Sequence, residues 1–80
     1  METKLVFRYD RPGDILFIDT CLPYPDQETE ELGDDVIARM NPKTQIIENL
    51  EVLFFSTRLL RENIFDIPVI AEMRPFVKPG

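Results

Sequence analysis

The sequence predicts an α+β domain that is mainly β: a small antiparallel sheet of about four or five strands, one short helix packed on it, and an extended C-terminal tail. Short apolar runs separated by turn residues predict the strands. A single stretch after Ser56 has helical spacing. Eighty residues suffice for one domain only, which we place at 1–80, with its core over about 4–63 and the tail over 64–80.

The first two elements form a β-hairpin. A strand is predicted over 4–9, because apolar residues alternate there with more polar ones. The segment Asp10–Asp14 contains a Pro-Gly pair, which is typical of a tight turn. The second strand is predicted over 15–20, where an unbroken apolar start indicates a strand inside the sheet or covered on both faces.

Three more strands are predicted farther along the chain. The segment 28–32 is acidic, as suits an edge strand, because charge on an edge discourages pairing with other chains. Strands over 36–40 and 46–55 follow, separated by turn residues. In the last of these, the face expected to join the core carries Leu50, Val52 and Phe54.

A short helix is predicted over 57–63, with Ser56 as its N-cap. Two turns of helix are not stable alone in water, so this helix is expected to dock on the sheet. Its inward side is predicted to carry Leu59, Leu60 and Asn63, and Asn63 also ends it. Arg58 is then expected to face solvent. In the apolar tail, residues 69–73 fit either a strand or an extended segment.

Composition excludes several classes of partner. The chain has 15 acidic and 9 basic residues, a net charge of −6, and its bases are scattered, so we predict no nucleic-acid binding. No segment has the roughly 20 apolar residues of a membrane span. Cys21 is the only cysteine, and charge appears too early for a signal peptide, so we expect a cytoplasmic protein. No histidine and no glycine-rich phosphate loop occur, and we predict no cofactor.

The acidic segment 26–35 offers weak candidates for a metal site. Asp26, Glu28 and Glu30 would lie on one side of an extended segment. Their spacing does not match an EF-hand loop, and calcium requires six or more oxygen ligands. A solvated, repulsive edge is the interpretation that we favour.

Two further pairs of polar residues are candidate sites. Asp10 and Asp14 flank the hairpin turn, where aspartate more often bonds its own backbone than performs acid–base chemistry. Tyr9 and Asp19 lie on the two strands of the hairpin and would mark a pocket if they were neighbours.

Two single residues need an explanation. Cys21 has no histidine to activate it and is interpreted as a small residue at a strand end. Glu51 lies within an apolar strand, so a buried Glu51 would need a cationic partner, with Arg39 and Arg58 as candidates.

Several short motifs carry a family resemblance. They are Tyr9-Asp10 before a turn and an aliphatic-aromatic strand, Thr29-Glu30-Glu31-Leu32, Val36-Ile37, and Leu50-Glu51-Val52-Leu53 running into Ser56. Together, over about residues 5–60, they resemble the bacterial domain-of-unknown-function family 2283. The resemblance implies a compact, mainly β domain closed by one helix, and a role as partner of small toxin-like proteins. The chain departs from that pattern at Phe54-Phe55 and in its apolar tail.

The predicted function is that of a non-enzymatic protein-interaction domain, which self-associates or binds a basic partner protein, in an antitoxin-like role. The acidic balance and the surplus of apolar residues support it. The residues expected at the interface are Phe54, Phe55, Phe65, Val69, Ile70 and Phe76. The alternative is a small metal-dependent enzyme or metal-binding protein that uses the segment 26–35.

Overall fold

The computed structural model describes residues 3–62 and 65–77, and these contain one five-stranded antiparallel sheet and one α-helix. The strands are β1 (Val6–Asp10), β2 (Ile15–Asp19), β3 (Glu28–Gly33), β4 (Val36–Met40) and β5 (Ile47–Leu53), and the helix is α1 (Phe55–Arg61). The predicted α+β class is confirmed. Residues 65–77 form no strand, so the extended alternative for 69–73 is the one found. Asn63, expected to end the helix, lies outside the described residues.

The strand order is β1-β2-β5-β4-β3, and all neighbouring pairs are antiparallel. β1 and β2 form the predicted hairpin, while β3, β4 and β5 form a meander whose last strand pairs with β2. Residues 20–27, which we call the crossover loop, therefore carry the chain from β2 past the ends of β5 and β4 to β3. The charged strand predicted over 28–32 is confirmed as an edge strand.

Two rows of side chains cross one face of the sheet, which we call the first face. Directly opposed residues of antiparallel strands point to the same side, so the registers define the rows. One row is Tyr9, Leu16, Val52 and Val36, and the other is Phe7, Ile18, Leu50 and Ala38. Val36, Val52 and Ala38 are 0% exposed, whereas Tyr9 is 44% and Phe7 is 61% exposed. The core therefore lies on β4 and β5 and becomes thinner toward β1.

Phe54 does not join this core, and its predicted place there is wrong. β5 ends at Leu53, and Phe54 adopts a left-handed conformation with φ 54°. This turn of the backbone breaks the alternation of the strand and leaves Phe54 exposed at the start of the helix.

The start of α1 also differs from the prediction that Ser56 is its N-cap. Phe54 occupies the cap position without a side-chain bond. The cap comes instead from the hairpin turn: the Asp14 carboxylate accepts hydrogen bonds from the Ser56 backbone N–H, at 3.0 Å, and from the Ser56 hydroxyl, at 2.9 Å. The Phe55 N–H donates to the Asp14 carbonyl. The hairpin turn therefore fixes where α1 begins.

The predicted inward side of the helix is wrong. Arg58 is buried at 4% exposure, while Leu59 and Leu60 are exposed. Phe55 packs edge-on against Tyr9, and a residue three positions later lies on the same side of a helix, which directs Arg58 inward. In the described stretches, no helix is long and apolar enough to cross a membrane.

The Arg58 guanidinium has only part of the bonding that a buried cation needs. Its Nη2 donates to the exposed Asp34 carboxylate at 2.8 Å, and its Cζ lies 4.3 Å from the centre of the Phe65 ring. Its Nε and Nη1 are buried and have no hydrogen-bond partner among the described residues. A buried polar group without a partner costs about 1–3 kcal/mol, so the packing of the Arg58 stem must offset this cost.

The first prediction concerns this arginine. Arg58→Met keeps the packed stem and removes the unsatisfied donors, so its free energy of unfolding should equal or exceed that of the wild type, by up to about 2 kcal/mol. Arg58→Ala removes the stem as well and should destabilise by about 1–3 kcal/mol. Urea denaturation of the three proteins measures both values. A methionine variant that is as unstable as the alanine variant would show that the charge, rather than the packing, stabilises the helix.

Candidate functional site

An apolar groove lies between the first face of the sheet and the tail. It has a volume of about 990 Å³. Its apolar walls include Leu5, Phe7, Ile46, Ile70, Met73 and Phe76, and we call this set the apolar groove. All six side chains are at least 46% exposed. A continuous exposed apolar surface of this kind marks a site of association or ligand binding.

The groove results from the position of β1 and the path of the tail. β1 is an edge strand, so nothing beyond it in the sheet covers Leu5 and Phe7. The extended tail forms the opposite wall, and the Lys4 ammonium lies 5.2 Å from the centre of the Phe76 ring. This cation–π contact joins the end of the tail to the start of β1.

The structure separates the six residues predicted at an interface. Val69, Ile70 and Phe76 come together at the apolar groove. Phe55 is half-buried against Tyr9, and Phe65 is half-buried against Arg58. Phe54 is 55% exposed but does not line the groove.

Four residues of the groove are not predicted at the surface by the sequence pattern: Leu5, Phe7, Ile46 and Met73. Leu5 and Phe7 lie on the apolar side of the strand predicted over 4–9. The alternation of apolar and polar residues in that strand predicts that this side faces the core, yet both residues are exposed. The edge position of β1 exposes that side. No signal in a single sequence gives the strand order, so the pattern could not distinguish a core strand from this one.

A second cluster consists of polar groups that hold the crossover loop, and two of its members, Glu48 and Asn49, also line the apolar groove. Asn49 is 2% exposed; its side-chain N–H groups donate to the Asp19 carboxylate and the Cys21 carbonyl, and its oxygen accepts from Gln27 at 2.7 Å. Glu48, the extra residue of β5 at a β-bulge, accepts from the Tyr24 hydroxyl at 2.6 Å and from Gln27 at 3.0 Å.

The pKa values in this polar cluster are shifted by its own bonds. The hydrogen bond from Tyr24 to the Glu48 carboxylate raises the pKa of Tyr24 to about 12 and lowers the pKa of Glu48. Burial, with the nearby Glu48 charge, raises the pKa of the Cys21 thiol. A thiol with a raised pKa is less often present as the reactive thiolate at neutral pH.

The other polar pairs are also explained by structure. Tyr9 and Asp19 are not neighbours, because the register places Tyr9 opposite Leu16 and Asp19 opposite Val6. The Tyr9 hydroxyl instead donates to the Asp14 carboxylate at 2.6 Å, and this bond lowers the pKa of Asp14 and raises that of Tyr9. The Asp14 carboxylate is occupied in capping the helix.

Glu51 has one of its two predicted partners. Arg39, on the neighbouring strand, donates to the Glu51 carboxylate at 2.8 Å. The same face of the sheet carries Arg8, which lies 4.2 Å from the centre of the Phe17 ring and 3.5 Å from the Asp19 carboxylate. This face is therefore occupied by charges that pair with one another.

The weak metal candidates do not form a site in the described part of the chain. Asp26 lies in a turn before β3, whereas Glu28 and Glu30 lie within the edge strand. Among residues 3–62 and 65–77, no group of three or more acidic or cysteine side chains is arranged to hold a metal ion.

Comparisons with protein-family models, with curated proteins and with solved structures gave no match. The resemblance to domain-of-unknown-function family 2283 remains a prediction. The geometry leaves the apolar groove as the candidate site, because the polar clusters consist of groups that already bond one another.

The second prediction concerns Tyr24 at alkaline pH. Its folded-state pKa lies above the ordinary value of 10.0, so its stabilising bond is present below pH 10 and is lost as pH rises toward 12. The chain has two tyrosines, so tyrosinate absorbance of the wild type and of Tyr24→Phe separates their titrations. We expect Tyr24 of the wild type to titrate near pH 12. The Tyr24→Phe variant should lose less of its free energy of unfolding between pH 10 and pH 12. Titration of Tyr24 near 10 would contradict the bond to Glu48.

Proposed function

We propose that this chain is a small non-enzymatic protein-association domain that self-associates through the β1 side of its sheet. The observation that carries the proposal is the gradient of burial along the first face. Each row of side chains is completely buried on β4 and ends on β1 in an exposed aromatic ring, Tyr9 in one row and Phe7 in the other.

The small size of the buried core supports this function. Among the described residues, the buried hydrophobic side chains are Val36, Ala38, Met40 and Val52. A short chain with a core of this size gains stability when it buries further apolar surface against a partner. The apolar groove lies next to the exposed end of both rows, so one partner covers both surfaces.

A basic partner protein is the second candidate, and the opposite edge of the sheet favours it. β3 carries Glu28, Glu30 and Glu31, all exposed, and the chain has a net charge of −6. Such an edge attracts a cationic surface at low ionic strength. The antitoxin-like role implied by the family resemblance would use this edge.

The metal-dependent alternative has weaker support. Its three candidate carboxylates lie in a turn and on a strand and do not converge in the described residues. Four of the groups with shifted pKa values bond one another in pairs instead, Tyr9 with Asp14 and Tyr24 with Glu48.

The third prediction tests self-association. Sedimentation of the wild type from ~1 μM to ~1 mM should show a concentration-dependent increase in mass, since this range spans binding free energies of about 8 to 4 kcal/mol. The variant Ile70→Asp/Met73→Asp should weaken association about tenfold, because it places charge in the apolar groove. Both side chains are more than four-fifths exposed, so the monomer should remain folded.

Leu60→Asp is the matched control. Leu60 is 88% exposed on α1 and does not line the groove, so this variant should associate as the wild type does. Titration with a basic, amphipathic peptide at low and high salt tests the second candidate. A protein that stays monomeric at ~1 mM and does not bind the peptide would contradict the proposed function.

A further inference from the structure

We propose that the partner is a second copy of this chain, and that the outer edges of the two β1 strands pair antiparallel about a twofold axis at Phe7. The result is one continuous sheet across both copies. This inference rests on the proposed function and adds to it the surface, the symmetry and the register. A two-fold dimer requires a surface that is complementary to itself, and the edge of β1 meets that requirement.

β1 has a free outer edge. It is the last strand in the order, and no backbone hydrogen bond joins it to any described residue outside the β1–β2 ladder. Its residues from Val6 to Tyr9 are all exposed. An exposed strand edge with apolar side chains is a template for pairing with another chain.

The other edge of the sheet is protected, which makes β1 the edge available for self-association. Three of the six residues of β3 are glutamates, and its register shifts at a bulge between Glu31 and Gly33. Charge and bulges both hinder strand addition. β1 has a regular register over its whole length and has Arg8 as the one charged residue among its first four.

Symmetry limits the possible registers. When two antiparallel edges join in one sheet, the twofold axis is perpendicular to the sheet, and the residue on the axis faces its own counterpart. An axis at Arg8 places two arginines side by side. An axis at Val6 places Arg8 opposite Lys4 of the second copy. Both arrangements are opposed by like charges.

An axis at Tyr9 is also unfavourable. It places Val6 opposite Pro12 of the second copy, and Pro12 lies in the hairpin turn and has no N–H to donate. Pairing would then be limited to the few residues around the turn.

The register centred on Phe7 avoids these conflicts. Phe7 faces Phe7 of the second copy, and Leu5 faces Tyr9. Lys4 then lies opposite Asp10 of the second copy, and by symmetry this attractive pair occurs twice. Complementary charge at the ends and aromatic contact at the centre together favour this register.

This dimer extends the hydrophobic core past β1, where the side chains of the first face are most exposed. The row that ends at Tyr9 continues into Leu5 of the second copy, and the row that ends at Phe7 continues into the second Phe7. Because the axis is perpendicular to the sheet, both helices and both tails lie on the same side. The two apolar grooves therefore meet across the axis, and their exposed walls become one buried surface.

The first test is Phe7→Lys, measured by sedimentation and by light scattering. It places two ammonium groups together at the axis and should weaken dimerisation about 100-fold or more. Phe54→Lys is the matched control, since Phe54 is also a phenylalanine, is similarly exposed at 55%, and lies away from β1. It should dimerise as the wild type does. Circular dichroism checks that both variants are folded.

The second test is a charge exchange between Lys4 and Asp10. Lys4→Glu alone and Asp10→Lys alone should each weaken dimerisation about fivefold, because each creates two like-charge pairs. The double variant Lys4→Glu/Asp10→Lys should recover most of the lost affinity, because the pairs are attractive again. If the two substitutions merely loosened the tail or the turn, their losses of dimer affinity would add up in the double variant instead.

The outcomes separate this inference from the proposed function. A dimer that survives Phe7→Lys overturns the β1 interface and leaves a self-associating domain with another surface. Loss of the dimer without recovery in the charge exchange overturns the register at Phe7. A wild type that is monomeric at all concentrations overturns the inference, and peptide binding then decides whether an association function remains.

Discussion

The pairing of β2 with β5 imposes the constraint on which the rest of the fold depends. Because β2 lies beside β5 and β3 lies at the far edge, the crossover loop must pass two strand ends, and its polar groups need partners there. Asn49 and the bulged Glu48 provide them, through Gln27, Tyr24 and the Cys21 carbonyl. The Asn49 amide bonds to Asp19 of β2 and to two residues of the crossover loop. Replacing a buried amide that makes these bonds would leave its partners unsatisfied, so this cluster helps to join β2 to β5.

The same constraint engages several polar side chains in structural bonds. Tyr24 and Asn49 hold the crossover loop, and Asp14 caps α1. The crossover loop bonds to Glu48 and Asn49 of β5, whereas Val6 to Tyr9 of β1 remain exposed. The exposed apolar groove and the outer edge of β1 therefore support the proposed association.

The sequence predicted the local features well, because their causes are local. β4 was predicted to the residue, since turn residues bound it on both sides. Glu51 bonds to Arg39, one of the two arginines expected as its partners from the sequence. The start of α1 and the burial of Arg58 were not predicted, because they depend on Asp14, more than 40 residues away. The exposed side of β1 was missed for the same kind of reason, since its exposure follows from strand order and not from the pattern of the strand itself.

The cluster around Asn49 is a structural clamp between the crossover loop and β5. Native-state amide hydrogen exchange tests it most directly, because it compares the crossover loop with the sheet that the loop crosses. The Thr20 N–H donates to the Glu48 carbonyl, and the Gln27 N–H donates to the Tyr24 carbonyl. Both amides should exchange only with global unfolding, at the rate of the β5 amides. Exchange through a local opening, with β5 still protected, would contradict it and would make the polar cluster a mobile candidate site.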